Sequence, residues 1–311
     1  MSMAPFIRII AQGKGRARSL TQAEATEAMT LILSGEAAPE TIGALLMVLR
    51  LRGETDAEIA GFTAALRASV CHTLPPVDLD WPCYSAGRTR GAPLFLLAAK
   101  LVTQAGYRVM LHGTNRSRHD LRNALQQTGI LSDRLTYHPL DALSPVAQNL
   151  LDLRDTFGLR SCINTVLRMW NPTAARATVQ GVFHPSYRGL QARAAEALGQ
   201  TDLSVIKGGG GEFERNPAKD IAVYGLRDGM HIEEVAPRLL EDTRRLHEPD
   251  QQVDLAGLWA GSATDEFAQA TVVATAGLAL WTLDAAPTIT AADRLAERLW
   301  QSRHAPERKI A

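Results

Sequence analysis

From Leu79 onward the chain alternates between short apolar segments and longer segments with helical periodicity. The predicted strands are 81–85, 107–111, 135–138, 178–183, 203–206 and 221–224. The predicted helices are 93–105, 119–127, 145–154, 186–199, 231–245, 265–283 and 290–301. Strands separated by helices form a largely parallel sheet, because the chain must cross over to begin each strand at the same edge. The alternation therefore predicts an α/β fold for this part of the chain.

The first 74 residues show helical patterns only, at 21–34, 39–52 and 55–70. Thr21 and Glu24 have the spacing of a capping box, which marks the start of a helix. The segment Leu74-Pro75-Pro76-Val77 cannot continue a helix and is interpreted as a hinge. We expect a small all-helical domain over 1–74, completed by helices around 142–172, and a larger α/β domain over 75–311. The basic stretch 1–20 is either a binding arm or a solvated terminus.

The net charge of the 311-residue chain is zero, but the charges are unevenly distributed. Between Gly87 and Arg122 there are seven Lys and Arg side chains and one acidic side chain. Between Asp228 and Glu266 there are ten acidic side chains and three arginines. The local field governs anion binding at a cleft, so these blocks matter more than the total.

The cellular context is predicted from the cysteines and the apolar runs. Three cysteines without metal-ligand spacing indicate reduced thiols and a cytoplasmic protein. No apolar run reaches the about 18 residues of a membrane helix, and no secretory signal is apparent. We therefore expect no membrane partner.

The stretch from Tyr84 to Asp120 carries the strongest functional signal. A glycine-bearing loop, a helix, a strand and a second polar loop follow each other here, which is the arrangement of an α/β ligand site. The two loops hold Arg88, Arg90, Arg116 and Arg118. Arginine forks suit phosphate without a metal ion, so the loops predict an anion site.

Three motifs, at His112 to Ser117, Phe157 to Pro172 and Lys207 to Glu212, resemble those of the anthranilate phosphoribosyltransferase family, also called glycosyltransferase family 3. His112 to Ser117 is similar to the family's Lys-His-Gly-Asn-Arg-Ser loop, with Leu111 in place of the lysine and Thr114 inserted. Phe157 to Pro172 resembles the Leu-Gly-Ile-Arg-Thr…Asn-Pro-Ala segment, and Lys207 to Glu212 stands where the family has a loop ending in Asp-Glu. The resemblance implies the nucleoside phosphorylase/phosphoribosyltransferase type of fold, with a helical domain and a mainly parallel sheet.

The departures from the family concern the diphosphate and Mg²⁺ site. The family's Gly-Thr-Gly-Gly-Asp loop is replaced by Ser85 to Gly91, which has two arginines and no acid. The Asp-Glu pair is Gly211-Glu212, so a single carboxylate remains. Neutralisation of the departing diphosphate by metal is central to the family's reaction. The departures predict a catalytically degenerate protein with no catalytic residue, no metal site and no cofactor.

The segment Lys207 to Lys219 resembles the YbiB-type branch of the family, which binds nucleic acid as a dimer. The resemblance implies a homodimer formed through the N-terminal helices and largely sequence-independent binding of single-stranded or other nucleic acid through basic loops. The predicted nucleic-acid or phosphate contacts are Arg88, Arg90, Arg116, Arg118, Arg122, Arg154, Arg160, Lys207, Arg215 and Lys219. The predicted remnants of the substrate cleft are Gly87, Gly91, His112, Gly113, Asn115, Asn171 and Glu212.

Two other functions stay open at this point. One is a family enzyme that transfers a phosphoribosyl or pentosyl group to an aromatic or nucleobase acceptor, with Mg²⁺ and Glu212 as the sole metal carboxylate. The other is a protein that binds a small phosphorylated metabolite.

Individual residues also have two interpretations each. Trp170, between Arg168 and Arg176, either stacks on bases or lies in a core or interface. Gly208 to Gly211 form either a phosphate loop or a flexible flap, and Glu212 is either a metal ligand or a partner for an arginine.

Overall fold

The computed structural model describes residues 2–13, 15–70, 74–84, 91–114, 121–242, 245–246 and 253–304. The first part is helical, with α1 (Ala4–Ala11), α2 (Gln22–Leu33), α3 (Pro39–Arg52) and α4 (Asp56–Ala68). The predicted capping box begins α2: the Thr21 hydroxyl accepts a hydrogen bond from the Glu24 backbone N–H, and the Glu24 carboxylate accepts one from the Thr21 N–H. Helix α1 falls in the stretch for which the sequence predicted only an arm or a solvated terminus.

The rest of the chain alternates strands and helices around one sheet. Its strands are β1 (Leu79–Cys83), β2 (Val109–Gly113), β3 (Leu135–Pro139), β4 (Ala177–Val182), β5 (Asp202–Lys207), β6 (Ile221–Arg227) and β7 (Met230–Ala236). Its helices are α5 (Phe95–Gln104), α6 (Leu121–Thr128), α7 (Leu140–Leu143), α8 (Pro145–Phe157), α9 (Ile163–Arg168), α10 (Tyr187–Ala197), α11 (Leu255–Ala260), α12 (Glu266–Thr282) and α13 (Ile289–Gln301).

The described strands form a sheet in the order β3-β2-β1-β4-β5-β6-β7. The first five strands in this order are parallel, and β6 and β7 are antiparallel to their neighbours. The predicted fold class, a small helical part and a larger α/β part with a mainly parallel sheet, is confirmed.

The predicted helix 231–245 is wrong. Met230–Ala236 is β7, and it is joined to β6 by the two residues Asp228 and Gly229, both with positive φ (49° and 78°). An Asp-Gly pair adopts this left-handed turn readily, and the turn reverses the chain into a hairpin. The helical spacing of the residues after Gly229 was coincidental, because the turn decides the direction of the backbone.

The sheet separates two hydrophobic cores. Leu79 and Trp81 of β1 belong to the core under α5, α12 and α13. Met110 of β2 belongs to the second core, which also includes Leu45 of α3 and Leu150 of α8. Alternate side chains of a strand point to opposite faces, and β2, β4, β5 and β6 contribute to both cores.

Helices from the middle of the chain pack on the N-terminal helices. The Phe157 ring of α8 lies 3.7 Å from the position of a Cβ on Gly43 of α3. The Arg67 guanidinium of α4 donates hydrogen bonds to the backbone carbonyls of Trp170 (2.7 Å) and Met169 (3.0 Å), just after α9. These contacts hold α8 against α3 and the segment after α9 against α4.

Helix α12 is apolar around most of its circumference, as a membrane-spanning helix would be, but it lies in the interior of the protein. Almost all of its residues are buried, and it packs against α5, α13, β4 and β5. Among the described residues, none of the helices combines the length and apolarity that crossing a bilayer requires.

Candidate functional site

The parallel strands β1, β2, β4 and β5 end at one edge of the sheet, where ligands of such folds usually bind. The chain leaves this edge after Tyr84 and after Thr114 into segments 85–90 and 115–120. Six predicted site residues lie in these segments, outside the described residues: Gly87, Arg88, Arg90, Asn115, Arg116 and Arg118. The described backbone therefore places the starting points of both basic loops on neighbouring strands.

A cavity of about 260 Å³ lies beside this edge, between the end of α3, the segment leading into α9, the end of β4 and the start of α10. The lining residues are Arg50, Gly158, Leu159, Arg160, Ser161, Asn164, Thr165, Arg168, Val182, Phe183, His184, Tyr187 and Gln191. None of these lining residues is acidic. A larger cavity of about 380 Å³, between α5, α6 and α11, has no cationic residue in its described lining and one acid, Asp254.

Three arginines come together at the first cavity. Arg50 and Arg160 line it, and within the part of the chain that the structure describes neither forms an ion pair. Arg154 does not line the cavity, but its charge acts on Arg160, and its Nε lies 3.7 Å from the exposed carboxylate of Asp155. Burial lowers the pKa of Arg160, and the positive charges of Arg154 and Arg50 lower that pKa further. Mutual repulsion of this kind is relieved when an anion binds among the arginines.

A fourth arginine, Arg168, lies at the base of the cavity and is buried. It donates a hydrogen bond of 2.7 Å to the carbonyl of Tyr84 at the end of β1. Burial lowers its pKa to about 10, and the negative charge of Glu212 opposes that shift. Glu212 is itself only 3% exposed. This arrangement favours the interpretation of Glu212 as a partner for an arginine.

His112 is completely buried in a polar network between the two cores. Its Nδ1 lies 2.8 Å from the Tyr84 hydroxyl. Its Nε2 lies 3.0 Å from Asp80 Oδ1, a close contact without the alignment of a hydrogen bond. Thr178 donates to the other oxygen of Asp80 at 3.0 Å. His112 is thus a structural residue here and does not reach the surface where a phosphate would bind.

The prediction that Arg215 contacts phosphate is wrong. Arg215 is 0% exposed and forms an ion pair with Asp293, with 2.7 Å between its Nη1 and the carboxylate Oδ1. It also donates to the carbonyls of Ala274 and Pro237. A cation in these contacts is out of reach of a polyanion. Lys207 and Lys219, at the two ends of the same segment, are exposed.

The glycine-rich segment 208–211 is packed against the body, contrary to its interpretation as a flap. It forms a short 3₁₀ turn, and Gly211 is buried. A Cβ on Gly208 would come within 1.6 Å of the Glu212 carbonyl oxygen, and one on Gly181 of β4 within 2.2 Å of the same oxygen. The glycines permit this close approach of backbones, and Glu212 is buried there.

The remaining predicted residues divide into structural and exposed ones. Asn171 holds a turn: its amide donates to the Ala175 carbonyl and to Gln200, and its carbonyl accepts from the Ala175 N–H. Gly113 lets β2 approach β1, since a Cβ would lie 2.2 Å from the Cys83 carbonyl oxygen. Gly91 is half-buried with φ 75°, and Arg122 is exposed on α6.

Trp170 is a core residue. It is 0% exposed, so it does not stack on bases. Arg176 forms ion pairs with Asp202 and Asp228 at 2.6 and 2.7 Å.

Several cavity residues were not identified from the sequence. Phe183 ends the predicted strand 178–183, and His184 and Tyr187 come within four residues after it, so the rule that ligands bind at the carboxyl ends of parallel strands could have identified them. Arg50 and Gln191 had no such signal. Both lie within helices, and only the packing of α3 and α10 brings them to the cavity.

The helical part and the parallel sheet define a phosphoribosyltransferase-type architecture, and comparison with known proteins agrees. Residues 4–70 match the model described as glycosyl transferase family, helical bundle domain. The chain is 32% identical over 257 residues to an anthranilate phosphoribosyltransferase from Symbiobacterium thermophilum, covering 76% of this chain and 73% of the relative. It is 30% identical to one from Roseiflexus sp. strain RS-1, covering 94% and 91%.

Solved structures show the same fold. The anthranilate phosphoribosyltransferase of Thermus thermophilus superposes with a TM-score of 0.74 at 24% identity, over 92% of each chain. The Saccharomyces cerevisiae protein in complex with PRPP and Mg gives 0.75 at 13% identity, over 96% of this chain and 93% of the other. The chain belongs to the anthranilate phosphoribosyltransferase family.

Proposed function

We propose that this protein is a cytoplasmic, homodimeric member of its family that binds nucleic acid and has lost the transfer reaction. The observation that carries the proposal is the pair Arg50 and Arg160, which line a cavity with no acidic residue in its described lining, with the positive charge of Arg154 acting on Arg160. Such a group attracts a polyanion and is stabilised by it. Exposed Lys207, at the end of β5, extends the positive charge along the same edge of the sheet.

The two loops at this edge would lengthen the basic surface. They begin on β1 and β2, and they carry Arg88, Arg90, Arg116 and Arg118 in the sequence. Phosphate contacts by Lys and Arg release condensed counterions, so such binding is strong at low salt and largely independent of sequence. This is the behaviour expected of a surface with many arginines and few acids.

Loss of the transfer reaction is argued from the carboxylates. Mg²⁺ requires oxygen ligands with free access to the bound diphosphate. Glu212 is the carboxylate that remains of the family's acidic pair. It is buried, and its negative charge raises the pKa of Arg168. Within the described ranges no group of three His, Cys, Asp or Glu residues could hold a metal ion. These observations support the proposal that binding needs no cofactor.

Dimer formation through the N-terminal helices belongs to the same proposal. Leu51, near the end of α3, is 91% exposed, and Met47 and Val48 on the same helix are partly exposed. An exposed apolar helix surface is typical of an interface with a second copy. Two-fold symmetry would present two copies of the basic edge to one long polyanion.

The test is a titration of a fluorescently labelled single strand, followed by anisotropy at two salt concentrations. We expect the double variant Arg50→Ala/Arg160→Ala, and separately Arg88→Ala/Arg90→Ala, to bind more weakly and to reduce the salt slope by about one unit per lost phosphate contact. Arg193→Ala is the matched control, because Arg193 is an exposed arginine paired with Asp56 elsewhere on the surface. Unchanged affinity in both double variants would refute the assignment.

One observation favours the alternative, a transferase with an aromatic or nucleobase acceptor. Phe183 and Tyr187 give the cavity an aromatic wall beside Arg160, and the relatives are anthranilate phosphoribosyltransferases. Mg²⁺-dependent turnover of phosphoribosyl diphosphate with anthranilate or a nucleobase, abolished by Glu212→Gln, would establish this alternative. Calorimetric binding of a small phosphate, with no preference for a polymer, would instead indicate a metabolite-binding protein.

A further inference from the structure

The inner surface of the arginine-lined cavity carries buried polar atoms without partners. Gln191 is 0% exposed, and neither its amide nitrogen nor its amide oxygen has a hydrogen-bond partner among the described residues. The Asn164 side-chain oxygen and Arg168 Nε are likewise unpartnered, and both residues are about 95% buried. All three side chains line the same cavity.

Unpaired buried polar groups are rare in folded proteins, because desolvation is not compensated. Three such side chains around one opening therefore indicate a place for a polar ligand group. These atoms have almost no area that water can reach, so they stay unpaired unless a ligand group that offers the same hydrogen bonds reaches them. An apolar ligand, or a bare phosphate without further polar edges, would leave the amides unpaired.

The walls add a requirement for a flat ligand. Phe183 is 48% exposed, and its ring meets the His184 ring edge-on with 4.9 Å between centroids. Tyr187 lies on the same side, at the first turn of α10. Exposed aromatic rings stack on heterocycles of any sequence. The cavity volume of about 260 Å³ is just below the range of small-molecule sites, so it accommodates one ring system and excludes a base pair.

We propose that this cavity takes one unpaired nucleobase of a single-stranded nucleic acid, with the adjoining phosphate held at the mouth by Arg50 and Arg160. A side-chain amide presents a donor and an acceptor in one plane, which matches the paired donor and acceptor on the edge of a base. Gln191 and Asn164 would contact that edge, and Phe183 would stack on the ring. The inference rests on the proposed nucleic-acid binding and specifies its form, because a duplex would have to extrude a base to fill the cavity.

The test compares two labelled single strands of equal length and charge, one with bases and one abasic at every position. With the unmodified protein we expect the base-bearing strand to bind about 5- to 100-fold more tightly, which is the contribution of one stacked base. Gln191→Met has nearly the same length but no hydrogen-bonding atom. It should lose most of this advantage while its affinity for the abasic strand stays the same.

Two further variants keep the test decisive. Phe183→Ala removes an exposed ring and should reduce the preference for the base-bearing strand over the abasic strand. This variant keeps the test valid if Gln191→Met, which changes a buried residue, folds poorly. Thermal melting followed by circular dichroism would reveal poor folding. Gln301→Met is the matched control, since Gln301 is an exposed glutamine on α13, away from the cavity, and should behave as the unmodified protein.

The outcomes separate this inference from the proposal on which it rests. Equal, salt-dependent binding of both strands overturns the base pocket and leaves nucleic-acid binding intact. Failure to bind either strand at low salt overturns both the base pocket and the proposed nucleic-acid binding. A free mononucleotide that competes as well as the strand would also contradict the assignment, because the ligand would then be a soluble nucleotide.

Discussion

Removing one partner of the buried ion pair between Arg215 and Asp293 should strongly destabilise the α/β part. Arg215 is fully buried and Asp293 is 7% exposed, with 2.7 Å between the paired atoms. The pair joins the segment after β5 to α13, and the Arg215 backbone N–H also donates to Thr275 of α12 at 3.0 Å. Arg215→Met keeps most of the side-chain volume and removes the charge, so a buried carboxylate is left without its cation.

Removing one partner of a buried ion pair costs about 3–5 kcal/mol, because the remaining charge stays desolvated. That is a large fraction of the about 5–15 kcal/mol by which a folded protein is stable. Burial raises the pKa of Asp293, and Arg215 opposes that rise. Without Arg215 the pKa of Asp293 should rise further. The loss of stability should therefore be largest at neutral pH and shrink as the pH falls through that raised pKa, because protonation removes the uncompensated charge.

Urea unfolding followed by tryptophan fluorescence would measure this effect, since Trp281 and Trp300 lie on α12 and α13. The double variant Arg215→Met/Asp293→Asn should recover part of the loss, because both charges are then absent. Arg193→Met is the control: its pair with Asp56 is exposed, and its loss should cost less than about 1 kcal/mol. A loss below about 1 kcal/mol for Arg215→Met, or a loss independent of pH, would refute the reasoning.

Other predictions concern local structure and can be checked by the same unfolding measurement. Gly61→Ala should destabilise by about 1–3 kcal/mol, because a Cβ would lie 2.3 Å from a backbone oxygen of α2. Gly43→Ala should instead stabilise α3 by about 0.5–1 kcal/mol, since its Cβ finds ordinary contact at 3.7 Å; equal effects would contradict both. Gly229→Ala should cost about 1 kcal/mol, because φ is 78° in the hairpin turn, and no change would show that the turn adapts. Hydrogen bonding to Arg18 lowers the pKa of Glu24 from 4.5 to about 2. The stability that Glu24 contributes should therefore be present above pH 4.5 and disappear as the pH falls toward 2. Glu24→Gln should be as stable as the unmodified protein near pH 2 and less stable than it at neutral pH.

Much of the fold was predictable because its signals are local. The capping box at Thr21 and Glu24 depends on residues three positions apart. The strands of the sheet follow from apolar runs between helical segments, and most were located to within a residue or two. The hairpin at Asp228 and Gly229 was also a local signal, and it was missed because the helical spacing of the following residues was given more weight.

The candidate site was less predictable because burial depends on distant residues. Arg160 and Arg215 have the same side chain, and both were predicted to contact phosphate. Arg215 forms an ion pair with Asp293, which lies 78 positions further along the chain. Arg160 is instead near the positive charges of Arg50 and Arg154. Nothing near either arginine in the sequence distinguishes these two environments.

The sequence by itself determined the helical and α/β parts, the family motifs and the absence of an acid at two positions where those motifs have one. These features depend on residue type and short spacing, which the chain carries before it folds. The tertiary structure alone decided which cations remain available, that Glu212 is buried, and that Gln191 and Asn164 share a cavity with Phe183. The reason is physical: exposure, pairing and desolvation are set by contacts between elements far apart in the chain, and these contacts exist only once α3, α9, β4 and α10 have packed together.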